Sequence, residues 1–78
     1  MPDMLEKIKS IIHTQLAIDK EAIQLDSSFV DDLGADSLDL VELIMRIEDA
    51  FYISIPEEDE VKLVTVKRAM QYIALAQE

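Results

Sequence analysis

Apolar positions recur along this chain at helical spacing. Leu5, Ile8, Ile12 and Leu16 follow at steps of three, four and four, with Met4 and Ile11 beside them, and so form one helix face. Asp3 precedes the run as N-cap, with Pro2 ahead of it and Glu6 three residues on in capping-box spacing, which predicts a first helix over 3–17. Leu40, Leu43, Ile47 and Phe51 repeat the same steps and predict a second helix over 37–51. Pro56 suits the first turn of a short helix over 57–62. Thr65 then caps a last helix in which Val66, Ala69, Met70 and Ile73 share a face. No stretch alternates with period two for long enough to argue a strand. The predicted class is all-α: a small four-helix bundle, three main helices and one short one, forming a single domain over 1–78.

Residues 17–36 carry no helical periodicity. An unstructured connection of that length is unusual in a compact domain and points to a functional loop. Its apolar residues, Ile18, Ile23, Leu25, Phe29, Val30 and Leu33, are spaced too irregularly for a helix and are too many for a free linker. They are expected to pin a long ordered loop onto the bundle and so fix where the second helix begins.

The length, 78 residues, allows one core, and a chain this short buries only about 60–65% of its unfolded surface. With no cysteine there is no disulfide, thiolate metal site or nucleophilic thiol. No aliphatic run exceeds four residues, Ile73–Ala76 being one, so neither membrane insertion nor a signal-peptide core is expected, and the reading is a cytoplasmic monomer. The net charge of −10 is unevenly placed: residues 26–60 hold twelve acids and one base, Arg46, while 61–78 sum to +2. Such a segment repels nucleic acid phosphates and anionic membrane surfaces. It favours a basic protein partner or a divalent cation.

At the junction of the loop and the second helix stands Asp31-Asp32-Leu33-Gly34-Ala35-Asp36-Ser37-Leu38-Asp39. Gly34, the only glycine, suits a turn that needs positive φ. Asp36 and Ser37 both qualify as the helix N-cap, and spacing does not choose between them. Ser37 as a catalytic nucleophile would need an oriented base. The single histidine, His13, sits off the apolar face of the first helix, and carboxylates flank Ser37. The chain therefore reads as a non-enzyme.

Gly34-Ala35-Asp36-Ser37-Leu38-Asp39, then Val41-Glu42-Leu43 and Phe51, strongly resembles the acyl carrier proteins of fatty acid synthesis. Phe29-Val30-Asp31-Asp32-Leu33 and Ile55-Pro56-Glu57-Glu58 extend the similarity over essentially the whole chain. The resemblance implies that Ser37 carries covalent 4′-phosphopantetheine, installed by a phosphopantetheinyl transferase that uses coenzyme A and a divalent metal. It also implies that the arm's thiol holds acyl groups as thioesters for fatty acid synthesis enzymes. The helix dipole would attract the arm's phosphodiester by about 0.3–1 kcal/mol. Asp36 and Asp39 would oppose it by about 1 kcal/mol, so only a covalent bond could hold it there.

Leu38, Val41 and Met45 form a second apolar line on the second helix, displaced from the core stripe. With Asp36, Asp39, Glu42, Glu48 and Asp49 around it, this line is expected to be the docking face for basic patches on partner enzymes, because rim charges raise association rates more than they hold a complex. Leu43, Ile47, Ile55, Leu63 and Ala69 are the expected walls of an acyl pocket. Three positions depart from the family's usual pattern: Arg46 within the acidic helix, the apolar pair Tyr52-Ile53, and Glu60 where a small apolar residue is common. Free-standing polyketide, peptidyl and D-alanyl carriers share the fold and the serine, while the Gly-Ala-Asp-Ser-Leu-Asp wording and the acidity favour the fatty acid type. A calcium-binding alternative fails on register, since Gly34 at loop position 6 puts Phe29 at position 1 and Leu33 at position 5. No specific metal site is expected.

Overall fold

The computed structural model describes residues 3–77. Pro2 lies outside them. Helix α1 spans Met4–Leu16, α2 spans Ser37–Phe51 and α3 spans Val66–Ala76; a 3₁₀ helix, Glu57–Lys62, supplies the short fourth member. The all-α four-helix reading thus stands, with two refinements. The short helix is 3₁₀ rather than α, and Pro56 precedes it as N-cap instead of occupying its first turn. The loop also contains one brief 3₁₀ turn, Lys20–Ala22.

Side chains start α1 and α3 where sequence placed the caps. Asp3 accepts from the Glu6 N–H at 2.9 Å, and Thr65 accepts from the Arg68 N–H at 3.1 Å. His13 Nδ1 lies 2.8 Å from the Ile18 carbonyl, tying α1 to the residues just past its end. α2 ends on Tyr52 in the left-handed region, φ 56°, with the Ile53 N–H reaching back to the Glu48 carbonyl at 3.2 Å. The Tyr52 N–H bonds the same carbonyl, so a left-handed residue closes the helix, here a tyrosine where glycine is usual.

The core gathers Ile8 and Ile12 of α1, Leu43, Ile44, Ile47 and Phe51 of α2, and Val66, Ala69 and Ile73 of α3. Ile23, Phe29, Leu33 and Ala35 anchor the loop into it, and Ile55 and Leu63 close it from the 3₁₀ side. Leu25 and Val30, expected to pin the loop as well, are exposed. Backbone bonds do that work instead: the Phe29 N–H donates to the Val64 carbonyl, the Val66 N–H to that of Ser27 and the Lys67 N–H to that of Leu25, at 2.8–3.1 Å. The loop is thereby stitched to the chain entering α3.

Candidate functional site

A tight turn delivers the chain to α2. The Ser28 carbonyl accepts from the Asp32 and Leu33 N–H groups, and the Phe29 carbonyl accepts from the Ala35 N–H at 2.8 Å. Gly34 makes the final change of direction at φ 71°. A Cβ there would meet no atom within 4 Å, so the demand for glycine is conformational and not one of space. Ala35, buried, then fixes the height at which α2 begins.

The cap that sequence left open belongs to Asp36. Its Oδ1 accepts from the Asp39 N–H at 2.9 Å, and Asp39 Oδ2 accepts in return from the Asp36 N–H at 3.3 Å, a reciprocal capping box. Ser37 is the first residue of the helix proper and is exposed. Its hydroxyl is consumed by no cap, and no base is hydrogen-bonded to it among the described residues. A hydroxyl so placed is accessible for modification by an outside enzyme and unsuited to act as a nucleophile unaided.

Ser37 also stands at the edge of a cleft of about 620 Å³. Leu40, Val41, Leu43, Ile44 and Ile47 of α2 form one wall, Phe29 and Val30 of the loop another, and Glu60, Val61, Leu63 and Val64 the third. Of the residues expected as pocket walls, Leu43, Ile47 and Leu63 line this cleft, whereas Ile55 and Ala69 do not. Ala69 is wholly buried in the α3 face that seals the core. Ile55 is buried in the core, its N–H donating to Glu48 Oε2 at 2.7 Å. Sequence reasoning missed Leu40, Ile44 and the loop residues. A signal for two of them was present: Leu40 and Ile44 lie three and seven residues after Ser37, on the helix face below it.

The expected docking face divides in the structure. Leu38 is 77% exposed and Met45 56% exposed, beside the exposed carboxylates of Asp36, Glu42 and Asp49. Val41 is exposed and also faces the cleft. Asp39 and Glu48 are half-buried and carry structural bonds, Asp39 in the capping box and Glu48 to Ile55, so their charges are partly committed inward. Arg46 is turned along the surface, its Nε donating to Gln15 Oε1 at 2.9 Å. Below the site, the Tyr72 hydroxyl donates to Asp59 Oδ2 at 2.6 Å, and Lys62 pairs with Asp59 at 3.1 Å, latching the 3₁₀ helix to α3. The Tyr72 bond and then Lys62 hold the Asp59 carboxyl below the usual carboxylate range, and the same bond pushes Tyr72 up to about 12.

Among the described residues no group of three or more histidines or carboxylates is placed to hold a metal ion, and no helix is long and apolar enough to cross a membrane. A family model described as the phosphopantetheine attachment site matches residues 6–73. Among solved structures, a protein provisionally assigned as an acyl carrier protein of Mycobacterium tuberculosis superposes with a TM-score of 0.86 at 37% identity, the match covering 94% of this chain and 97% of that one.

Proposed function

Since this chain belongs to the phosphopantetheine-attachment family and is an acyl carrier, not an enzyme, we propose that Ser37 bears its 4′-phosphopantetheine and that it serves fatty acid synthesis. The observation that carries the assignment is the division of labour at the start of α2: Asp36 caps the helix, leaving the neighbouring Ser37 hydroxyl exposed and uncommitted at the edge of an aliphatic cleft. The phosphodiester of the arm would lie at a helix N-terminus, where the dipole favours an anion. The arm supplies the thiol that this cysteine-free chain lacks, and that thiol carries the acyl group as a thioester.

The cleft beside Ser37 is the shelter for that acyl group. Each methylene withdrawn from water contributes about 0.8 kcal/mol, so a medium-length chain is driven into an aliphatic cavity of this size. Leu38 and Met45, with Asp36, Glu42 and Asp49 around them, form the face that meets basic patches on the phosphopantetheinyl transferase and on the synthesis enzymes. Small apolar anchors within a charged rim suit fast encounter and fast release. The acidity of residues 26–60 and the aliphatic cleft favour a fatty acyl cargo over an aminoacyl one. The protein is read as a cytoplasmic monomer.

Reconstituted chain elongation is the test. The holo form, supplied with fatty acid synthesis enzymes and malonyl groups, is expected to support repeated elongation to a saturated chain. Loading by an amino acid-activating ligase, with no elongation, would assign it to the peptidyl or D-alanyl carriers instead.

A further inference from the structure

We propose that Glu60 makes the cleft selective for acyl groups that bear a hydrogen-bond donor, a hydroxyl above all, over plain alkyl chains. The inference rests on the reading that an acyl group attached through Ser37 enters this cleft. A 3₁₀ helix repeats every three residues, so Glu60 shares its face with Leu63, which is buried in the cleft wall. Glu60 is thereby presented to a cavity lined mostly by apolar side chains, Phe29, Leu43, Ile44 and Ile47 among them, with Ser28, Asp31 and Ser37 as its other polar residues. Its neighbour Asp59 lies on the next face, accepts a hydrogen bond from Tyr72 and pairs with Lys62. Glu60 has no such partner among the described residues: none of their side chains donates to it, and it is half-buried.

An alkyl chain laid along this wall strips water from the Glu60 carboxylate and returns nothing. A hydroxyl on the chain returns a charge-assisted hydrogen bond, the acyl O–H donating and the carboxylate accepting. The half-buried Glu60 carboxylate thus discriminates by leaving the wrong cargo's wall unsatisfied, which is stronger than a preference built on shape, whereas Asp31, the other carboxylate lining the cleft, is exposed and keeps its water. No covalent step is involved beyond loading of the arm.

The test uses the full chain, loaded by a phosphopantetheinyl transferase from coenzyme A thioesters of octanoate and of octanoate hydroxylated at carbon 3, 5 or 7. Melting temperatures are compared with the holo form in wild type, Glu60→Gln and Glu60→Leu, with Glu60→Ala replacing Glu60→Leu if the latter misfolds by circular dichroism. In wild type at least one hydroxylated form is expected to melt above the octanoyl form by roughly 4–8 °C, about what one net hydrogen bond is worth in a domain of this size. Glu60→Gln keeps an acceptor and the order; Glu60→Leu reverses it. An octanoyl form at or above every hydroxylated form in wild type, or a ranking untouched by Glu60→Leu, overturns the proposal. Failure of loading, or acyl forms that never rise above holo in any variant, would instead remove the Ser37 or cleft reading beneath it.

Discussion

Adjacent residues Asp36 and Ser37 are assigned separable roles, one mechanical and one chemical, and substitution should pull them apart. Asp36→Ala orphans the Asp39 N–H that Asp36 now accepts at 2.9 Å. Loss of an N-cap costs about 1 kcal/mol. The lost carboxylate also forfeits about 0.3–1 kcal/mol of attraction to the helix dipole. Relief of repulsion with Asp39 returns a similar amount, since two charges at contact distance in water repel by about 1 kcal/mol. The net expectation is about 1 kcal/mol, or a melting temperature lower by roughly 4–8 °C in a domain of this size. Asp36→Asn retains an accepting oxygen and should keep most of that stability. Ser37→Ala removes a hydroxyl that serves no cap, so its melting curve should overlay wild type. Loading assayed well below every melting temperature should order the other way: absent in Ser37→Ala, present but slowed in both Asp36 variants through the lost rim charge. The reasoning is refuted if Ser37→Ala destabilises as much as Asp36→Ala, because the cap would then belong to the serine.

Glu42→Lys tests the docking face at a carboxylate with no structural bond: acyl and arm transfer should slow several-fold at low ionic strength with unchanged helicity, and wild-type rates should fall as salt rises. Salt-independent rates would mean that the acidity serves only solubility. The Tyr72–Asp59 latch should be visible in pH titrations. Asp59 is lowered from 3.8, so its contribution is present above about pH 4 and is lost as pH falls through the depressed folded value; Tyr72 is raised from 10.0 to about 12, so its contribution is full below pH 10 and is lost between there and about 12. The melting difference between wild type and Tyr72→Phe should therefore be a plateau that shrinks at both ends; a difference independent of pH contradicts the latch. Tyr52→Gly should stabilise, by up to about 1 kcal/mol, because Tyr52 is 94% exposed yet held at φ 56°. A fall in melting temperature would show that the tyrosine has a partner.

The helices were legible because each announces itself twice, by an apolar face and by a cap. Asp3, Thr65 and the Leu40–Phe51 stripe lie where periodicity and cap chemistry agree. The 3₁₀ character of Glu57–Lys62 was not legible, since six residues present too few repeats to separate a period of 3.0 from 3.6. The loop was read correctly as ordered but for an incomplete reason. Long-range backbone bonds from Phe29 to Val64 and from Ser27 to Val66 do the pinning that Leu25 and Val30 were expected to share, and backbone pairing leaves no mark on side-chain pattern. The cleft shows the same limit. Burial nominated Ile55 and Ala69, which are core and do not line the cleft, while the residues that shape the cavity mix buried side chains such as Leu43 and Phe29 with exposed ones such as Val41 and Val61 and come from three separate segments. Leu43, Ile47 and Leu63 pointed to it in advance, and the helix face running down from Ser37 through Leu40 and Ile44 offered a further signal.

The central claim is that the Ser37 hydroxyl is the attachment point, and peptide mapping tests it most directly. The chain is incubated with coenzyme A and a phosphopantetheinyl transferase, digested, and each peptide is weighed and fragmented. The account predicts a single added phosphopantetheine, on Ser37, with no mass gain in Ser37→Ala. A modified Ser37→Ala chain, or fragments placing the group on Ser27, Ser28 or any other hydroxyl, would contradict it.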